Sequence, residues 1–387
     1  MKKTRVLFVV GGLHRAGAER FAYEFDRALD KSKFDLYILC LQTKDRNTYG
    51  WTERYYEKKH LELGTPITYI DRFVNPRYAN RFSLINRLRQ RITRHEAPYL
   101  KEKELYRYME EFDVIHWMGE YTYIHAVADR IREKSLIQPM SSKFQNRKIY
   151  DGFDYEKFYN FCSLFNEDEL DYEFSQFKNY RSIIIPLILN VDNVRNLWQF
   201  NDMLPKKIGI FTRLNVYKPL DPFFYSYQLL LDKFPDCELH VFGNGDPERE
   251  GMIDILERLG LQNHVYFRGH QEDIVQTAIE EKLALSWFQG YNNDKPSGYA
   301  GLDICTSGTP LICWDFHPEP KDVKNLVYPH YKNLNEFVNK SIELLTDREK
   351  AEDLSDLQFT ETTKNRNVKV FMPILEEEYI RIADLNR

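Results

Sequence analysis

No apolar run in the 387-residue chain approaches the ~20 residues that a membrane-spanning helix needs. No signal-peptide pattern precedes the first apolar stretch, so a cytoplasmic location is expected. The five cysteines, Cys40, Cys162, Cys237, Cys305 and Cys313, are odd in number, widely scattered and without a CxxC pair. That spacing excludes a disulfide framework and a zinc ribbon, and reduced, mostly buried thiols are expected. Close His/Cys/Asp/Glu ligand spacing is also lacking, so no dedicated metal site is indicated. There is no P-loop, no GxGxxG and no G-x-S-x-G elbow. Nor is there a basic excess: the net charge of −5 argues against nucleic acid as a partner.

What is present is length, aromatic side chains and alternation. A chain this long is large for one core, and two domains are expected. The 26 Tyr and 26 Phe are read as core and interface filling, with a sugar-binding cleft as the other use.

Arg5 to Val10 is a continuous apolar run suited to a central parallel strand. The turn Gly11-Gly12-Leu13-His14-Arg15-Ala16-Gly17-Ala18-Glu19 leads into a helix to about Leu29. Glycines there let a backbone approach a phosphate at the helix N-terminus, although such turns are often purely structural. Strands are expected at Phe34–Leu41 and Pro66–Ile70. Residues 72–94 carry seven arginines and no acid, and Phe82, Ile85, Leu88 and Ile92 form one stripe. The helix near 81–94 therefore suits either an anionic membrane surface or packing on its own sheet. DVIHW, Asp113–Trp117, is a strand that places His116 near its carboxyl end, facing a crevice, before a helix at about Tyr121–Glu133. From Gln138 to about Lys178 periodicity fails. Arg181–Ile188 is a strand interrupted by Pro186, and Asn190–Pro205 suits a hinge.

From Lys206 the alternation is regular: strand Ile208–Thr212, helix Pro222–Phe234, strand Glu238–Phe242, helix Glu248–Leu259, strand Val265–Phe267 and helix Glu272–Glu281. Strand Leu283–Phe288 follows, then a polar loop, a helix carrying Asp303, the turn Ser307-Gly308-Thr309-Pro310, and strand Leu311–Trp314. This predicts a parallel, doubly wound sheet with ligands outside the strand carboxyl ends. Arg213 and Lys218 stand just beyond the first strand, where a guanidinium fork and an ammonium can grip phosphate oxygens. Asp303, one turn into its helix, could accept hydrogen bonds from a ribose diol. The last segment, Val368–Ala383, reads as a helix covered in part on both faces.

GGLHRAGAER, DVIHW, TRLNVYK, VFGNG, YFRGH and GLDICTSGTPLI, in that order, resemble a retaining glycosyltransferase of family 4 (glycosyl transferases group 1) with GT-B architecture. The resemblance implies α/β architecture with two Rossmann-like doubly wound domains facing a cleft. An N-terminal acceptor domain would span 1–195 and a nucleotide-sugar domain 205–365, with a C-terminal helix, 366–387, crossing back to the first. It implies that Gly12, Gly17 and Gly243 lie near the donor, and that Arg213 and Lys218 neutralise its diphosphate. Gly269 would lie beside the base, Gly298, Leu302 and Asp303 around the sugar and ribose, and His116 against the transferred sugar. Where the family carries its first signature glutamate, this chain offers either Gln289 or Asp294. The donor would be a nucleotide-diphosphate sugar, used with no metal and no other cofactor, and the acceptor a glycan or lipid-linked intermediate of a cell envelope. A location in the cytoplasm or on the inner face of the membrane follows. The competing expectation is a degenerate GT-B glycan-binding or partner subunit; an epimerase or phosphorylase on the same architecture is the third.

Overall fold

The computed structural model describes residues 2–42, 53–74, 100–119, 123–124, 127–140, 158–164, 181–192, 194–202, 205–215, 218–290, 298–315 and 327–386. In chain order the elements used below are β1 (Thr4–Val10), α1 (Gly17–Ala28), β2 (Phe34–Cys40), α2 (Tyr55–Glu62), β3 (Ile67–Tyr69), α3 (Glu102–Glu110), β4 (Val114–Met118), α4 (Ala128–Ile131), β5 (Ser135–Gln138), β6 (Asn160–Ser163) and β7 (Arg181–Ile184). Then come β8 (Lys207–Phe211), α5 (Asp221–Leu231), β9 (Glu238–Phe242), α6 (Met252–Leu259), β10 (Val265–Gly269), α7 (Ile274–Glu280), β11 (Leu285–Gly290) and α8 (Tyr299–Ser307). The chain ends with β12 (Leu311–Asp315), β13 (His330–Tyr331), α9 (Leu334–Thr346), α10 (Arg348–Thr360) and α11 (Val368–Leu385). They form two compact units, residues Met1–Asn190 with Val368–Arg387, and residues Val191–Asn367.

The first unit is a seven-stranded sheet in the order β3-β2-β1-β4-β5-β6-β7, and its strand pairs are parallel. Its central strand is apolar along its length because both faces are covered: Val6, Leu7, Phe8 and Val9 are all fully buried. One face packs Leu7, Val9, Ile115 and Trp117 against Leu105, Met109 and Phe112 of α3 and its end. The other face is covered by α1 and by α11. Met372, Leu375, Tyr379 and Ile382 recur at helical spacing on the buried side of α11. Val370, Ile374 and Ile380 are exposed, so this helix has one covered face where the sequence suggested two.

β5 and β6, SLIQ and NFCS, lie at one end of and inside the aperiodic stretch. Four residues, all of them buried, are too few for a periodicity to register. Only the single turn α4 and a 3-10 turn, Arg132–Lys134, are described where a helix to Glu133 was expected. Residues 75–99, which hold most of the basic stretch, and 141–157 and 165–180 of the aperiodic stretch lie outside the described residues.

The second unit is a six-stranded parallel sheet in the order β10-β9-β8-β11-β12-β13. Phe223, Phe224, Tyr227 and Leu230 on α5 pack on Ile208, Ile210, Leu239, Val241 and Trp287. Gln358 of α10 acts as a strand in miniature: its Oε1 accepts from Leu311 N at 2.8 Å, and its Nε2 donates to Leu311 O at 2.8 Å and to Val327 O at 2.9 Å. Among the described residues no helix is long and apolar enough to cross a membrane.

Candidate functional site

In the second sheet the strand order reverses between β8 and β11. Loops leaving two neighbouring strands in opposite directions open a crevice at their carboxyl ends, where ligands of such sheets bind. On the β8 side the ladder continues past the strands: Thr212 N donates to Phe242 O and Leu214 N to Asn244 O, both at 2.9 Å, and Gly243 N to Gly269 O at 2.8 Å. Gly243 makes this closeness possible, since a Cβ there would stand 1.6 Å from Thr212 O. Gly245 holds φ +139, with Leu214 O 2.4 Å from where its Cβ would be. The backbone carrying Arg213 is thereby pinned on the β9 side by hydrogen bonds and by contact.

Lys218 follows five residues later, its amide donating to Asn215 O at 3.0 Å. Its ammonium is held below the ordinary lysine value, first by burial and then by the charge of Arg213. No carboxylate among the described residues offsets these two effects. The two cations that the sequence singled out therefore lie within electrostatic reach of each other, and the charge of Arg213 disfavours that of Lys218. Gly269, at the end of β10, is exposed with φ +70 and open space where a side chain would project.

On the β11 side, Ser286 Oγ donates to Gly209 O at 2.9 Å and ties β11 to β8. Gln289 is 8% exposed near the strand's carboxyl end. Asp294 lies outside the described residues. Gly298 is extended, with nothing near the place of its absent Cβ, and precedes α8. Asp303 stands in the second turn of α8, 8% exposed. Leu302, expected among the substrate-binding side chains, is fully buried. Its side chain is thus part of the core, which corrects the expectation of a side-chain contact with substrate. α8 ends at Gly308, φ +83, where a side chain would collide with Asn196 Oδ1 at 1.9 Å.

In the first unit, Gly17 is the first residue of α1 and exposed, and a Cβ there would meet nothing within 4 Å. Gly12 is buried, and the space over it is occupied by the ring of His14 and the amide of Gln42. His116 corrects a second expectation. It sits in the middle of β4 and is fully buried, its ring edge-on to Phe8 at 5.4 Å and stacked on Phe25 at 6.0 Å. Its Nδ1 lies 2.7 Å from the Tyr379 hydroxyl of α11. Alternation along β4 sends Ile115 and Trp117 to one face and His116 to the face under α1 and α11, not to the strand's open end. Burial pushes the imidazole down to about 3, so it is neutral. Sequence reasoning passed over His14 and Glu19, which do meet at the end of β1, with Nε2 3.3 Å from Oε1. Their five-residue spacing across a Gly-rich turn was the available signal.

Among the described residues no group of three or more His, Cys, Asp or Glu could hold a metal ion. Residues 199–357 match the family model described as glycosyl transferases group 1. No curated protein sequence matches the chain significantly. Among solved structures, the chain is similar to a mutant of S. aureus TarM in complex with fondaparinux, alpha-GlcNAc-glycerol and UDP: 12% identity, 98% of this chain and 99% of that one covered, TM-score 0.68. It is also similar to Anabaena HepE in complex with UDP and glucose, with 12% identity, 97% and 99% covered, and a TM-score of 0.67. For sucrose-phosphate synthase from Thermosynechococcus elongatus the figures are 15%, 98% and 99%, and 0.64. Two parallel Rossmann-like sheets with these matches are the GT-B fold, and within it residues 199–357 are similar to the glycosyl transferases group 1.

Proposed function

We propose that the chain transfers a sugar from a nucleotide-diphosphate sugar to a glycan or lipid-linked acceptor, with retained configuration and without a metal ion. The observation that carries this reading is Lys218 near Arg213 just beyond the end of β8, half-buried, its charge disfavoured first by burial and then by its neighbour. A diphosphate would bring negative charge that favours the ammonium of Lys218, and cations aimed in advance at a leaving diphosphate stabilise charge where it develops. Asp303 would hold the ribose, Gly298 and either Gln289 or Asp294 the sugar, and Gly243 and Gly269 the diphosphate and base by backbone approach. The resemblance adds Gly12 and Gly17 of the first unit as backbone contacts. In the reaction the anomeric carbon exchanges its bond to a phosphate oxygen for one to an acceptor oxygen, and the acceptor's proton passes to the leaving diphosphate. TarM and HepE were solved with UDP, which makes UDP the first nucleotide to try. A role in cell-envelope polysaccharide or glycoconjugate synthesis, in the cytoplasm or at the inner membrane face, fits this chemistry.

The test is calorimetric titration with UDP, GDP and ADP, on the native chain and on Arg213→Ala. Loss of one charge-assisted contact is expected to weaken the preferred nucleotide by ~10- to 100-fold. Equal affinity in both proteins would remove the site. The burial of His116 favours a second reading, a donor-binding subunit without turnover, since the imidazole that the resemblance sets against the sugar is enclosed. Nucleotide binding with no sugar transfer or donor hydrolysis across a donor panel would select it.

A further inference from the structure

The turn from β1 into α1 contains a pair of side chains that the proposed function leaves unused. His14 is 9% exposed and Glu19 is 7% exposed, and the 3.3 Å contact between them joins the turn to the first turn of α1. On its other side the His14 ring rests over Gly12. A Cβ on Gly12 would lie 2.7 Å from His14 Nδ1, 2.8 Å from His14 Cε1 and 2.9 Å from Gln42 Oε1. Gly12 does not occupy the left-handed region, so its backbone makes no demand for glycine. The demand comes from the ring seated on it.

The rest of the turn is fastened around this seat. Ala16 N donates to His14 O at 3.0 Å, Tyr56 N of α2 donates to Leu13 O at 3.0 Å, and the Arg15 guanidinium lies 4.4 Å from the centre of the Tyr55 ring.

We infer that His14 is a positioning residue: seated on Gly12 and joined to Glu19, it fixes the β1–α1 turn and with it the amide of Gly17 at the start of α1. The inference rests on the proposed reading of Gly17 as a diphosphate contact. It gives Gly12 a different purpose from the one its sequence context suggests. A glycine kept for ligand approach and a glycine kept as a seat for a ring respond differently to mutation, because all three atoms that crowd Gly12 belong to side chains that can swing away. Adding a methyl at 12 therefore unseats His14 with no direct backbone clash of its own, and releases the turn that the ring holds.

The experiment is a double-mutant cycle in the full chain: Gly12→Ala, His14→Ala and the two together, each measured for UDP affinity by calorimetry and for melting temperature. Either single change is expected to weaken UDP roughly tenfold, a factor readily resolved in binding constants. The double variant should match His14→Ala alone in both affinity and melting temperature, and His14→Gln, which keeps a donor for Glu19, should recover much of the affinity. Losses that multiply in the double variant would show that Gly12 serves the ligand directly and would overturn the seat. UDP affinity of His14→Ala equal to the native chain would overturn the positioning role. Should the native chain prefer GDP or ADP, the cycle is run with that nucleotide; a native chain that binds none of the three would defeat the donor reading and the positioning role with it, while the melting-temperature cycle still reports on the seat.

Discussion

Gly243→Ala tests how the phosphate-side loops are built. The new Cβ would stand 1.6 Å from Thr212 O and 2.7 Å from Thr212 C. Both are backbone atoms, so no rotamer change relieves the clash. The ends of β8 and β9 would have to part by ~2 Å to reach ordinary van der Waals separation. That parting breaks the bonds from Thr212 N to Phe242 O and from Leu214 N to Asn244 O, which hold the chain on either side of Arg213. Overpacking of this kind costs ~3 kcal/mol, at the upper end of its usual range. For a unit of this size that lowers the melting temperature by ~6–12 °C. Displacing the Arg213 guanidinium by a similar distance should weaken UDP by ~100-fold. Differential scanning calorimetry and UDP titration on the same preparation give both numbers. A Gly243→Ala protein with native melting temperature and native UDP affinity would refute the argument that these strand ends are in backbone contact.

Three further outcomes follow from buried polar groups. His116 has an ordinary value of 6.5 and is held at about 3 in the fold, so the unfolded chain takes up the proton first. Stability is therefore complete above pH 6.5 and falls as the pH drops towards 3, and urea titrations across that range should flatten in His116→Leu. Asp26 is fully buried; burial alone would raise its carboxyl, but the hydrogen bond from His60 and the charge of Lys31 outweigh that and lower it. Asp26→Ala strands His60, 2.6 Å from the carboxylate, and Thr65, 2.8 Å away, and should cost ~3–5 kcal/mol by chemical denaturation. Gln358→Ala leaves Leu311 N, Leu311 O and Val327 O without their side-chain partner and should cost ~2–3 kcal/mol, read the same way.

Five of the six strands of the second sheet were legible in the sequence because each is a run of at least five residues between strong turn signals, and Glu238–Phe242 has the bounds that its pattern suggested; β13, two residues long, was not. The proximity of Arg213 and Lys218 was legible for a related reason: both follow one strand, so little chain separates them. Two kinds of information were hidden. β5 and β6 are four residues each, and apolar fragments that short are indistinguishable from loop residues until a neighbouring strand pairs with them. Side-chain direction in a strand buried on both faces was hidden as well. DVIHW is apolar at every position but its first and fourth, so nothing in the pattern tells whether His116 faces a helix or the open end of the sheet. The partner that decides, Tyr379, lies 263 positions away. Gly12 illustrates a third limit, since a glycine beside a phosphate and a glycine beneath a ring have the same one-letter signature.

The helix α11 closes the first unit from the far end of the chain, and this sets an order of events during synthesis. When the ribosome has made residues up to Asn190, the first sheet still lacks the helix whose Tyr379 packs on Phe34 and His116. The whole of the second unit emerges before that helix does. A nascent chain at this stage exposes an apolar groove with an unmatched imidazole at its floor, a natural target for chaperones. Domains elsewhere usually mature in the order in which they are translated; here the first to appear is the last to be finished.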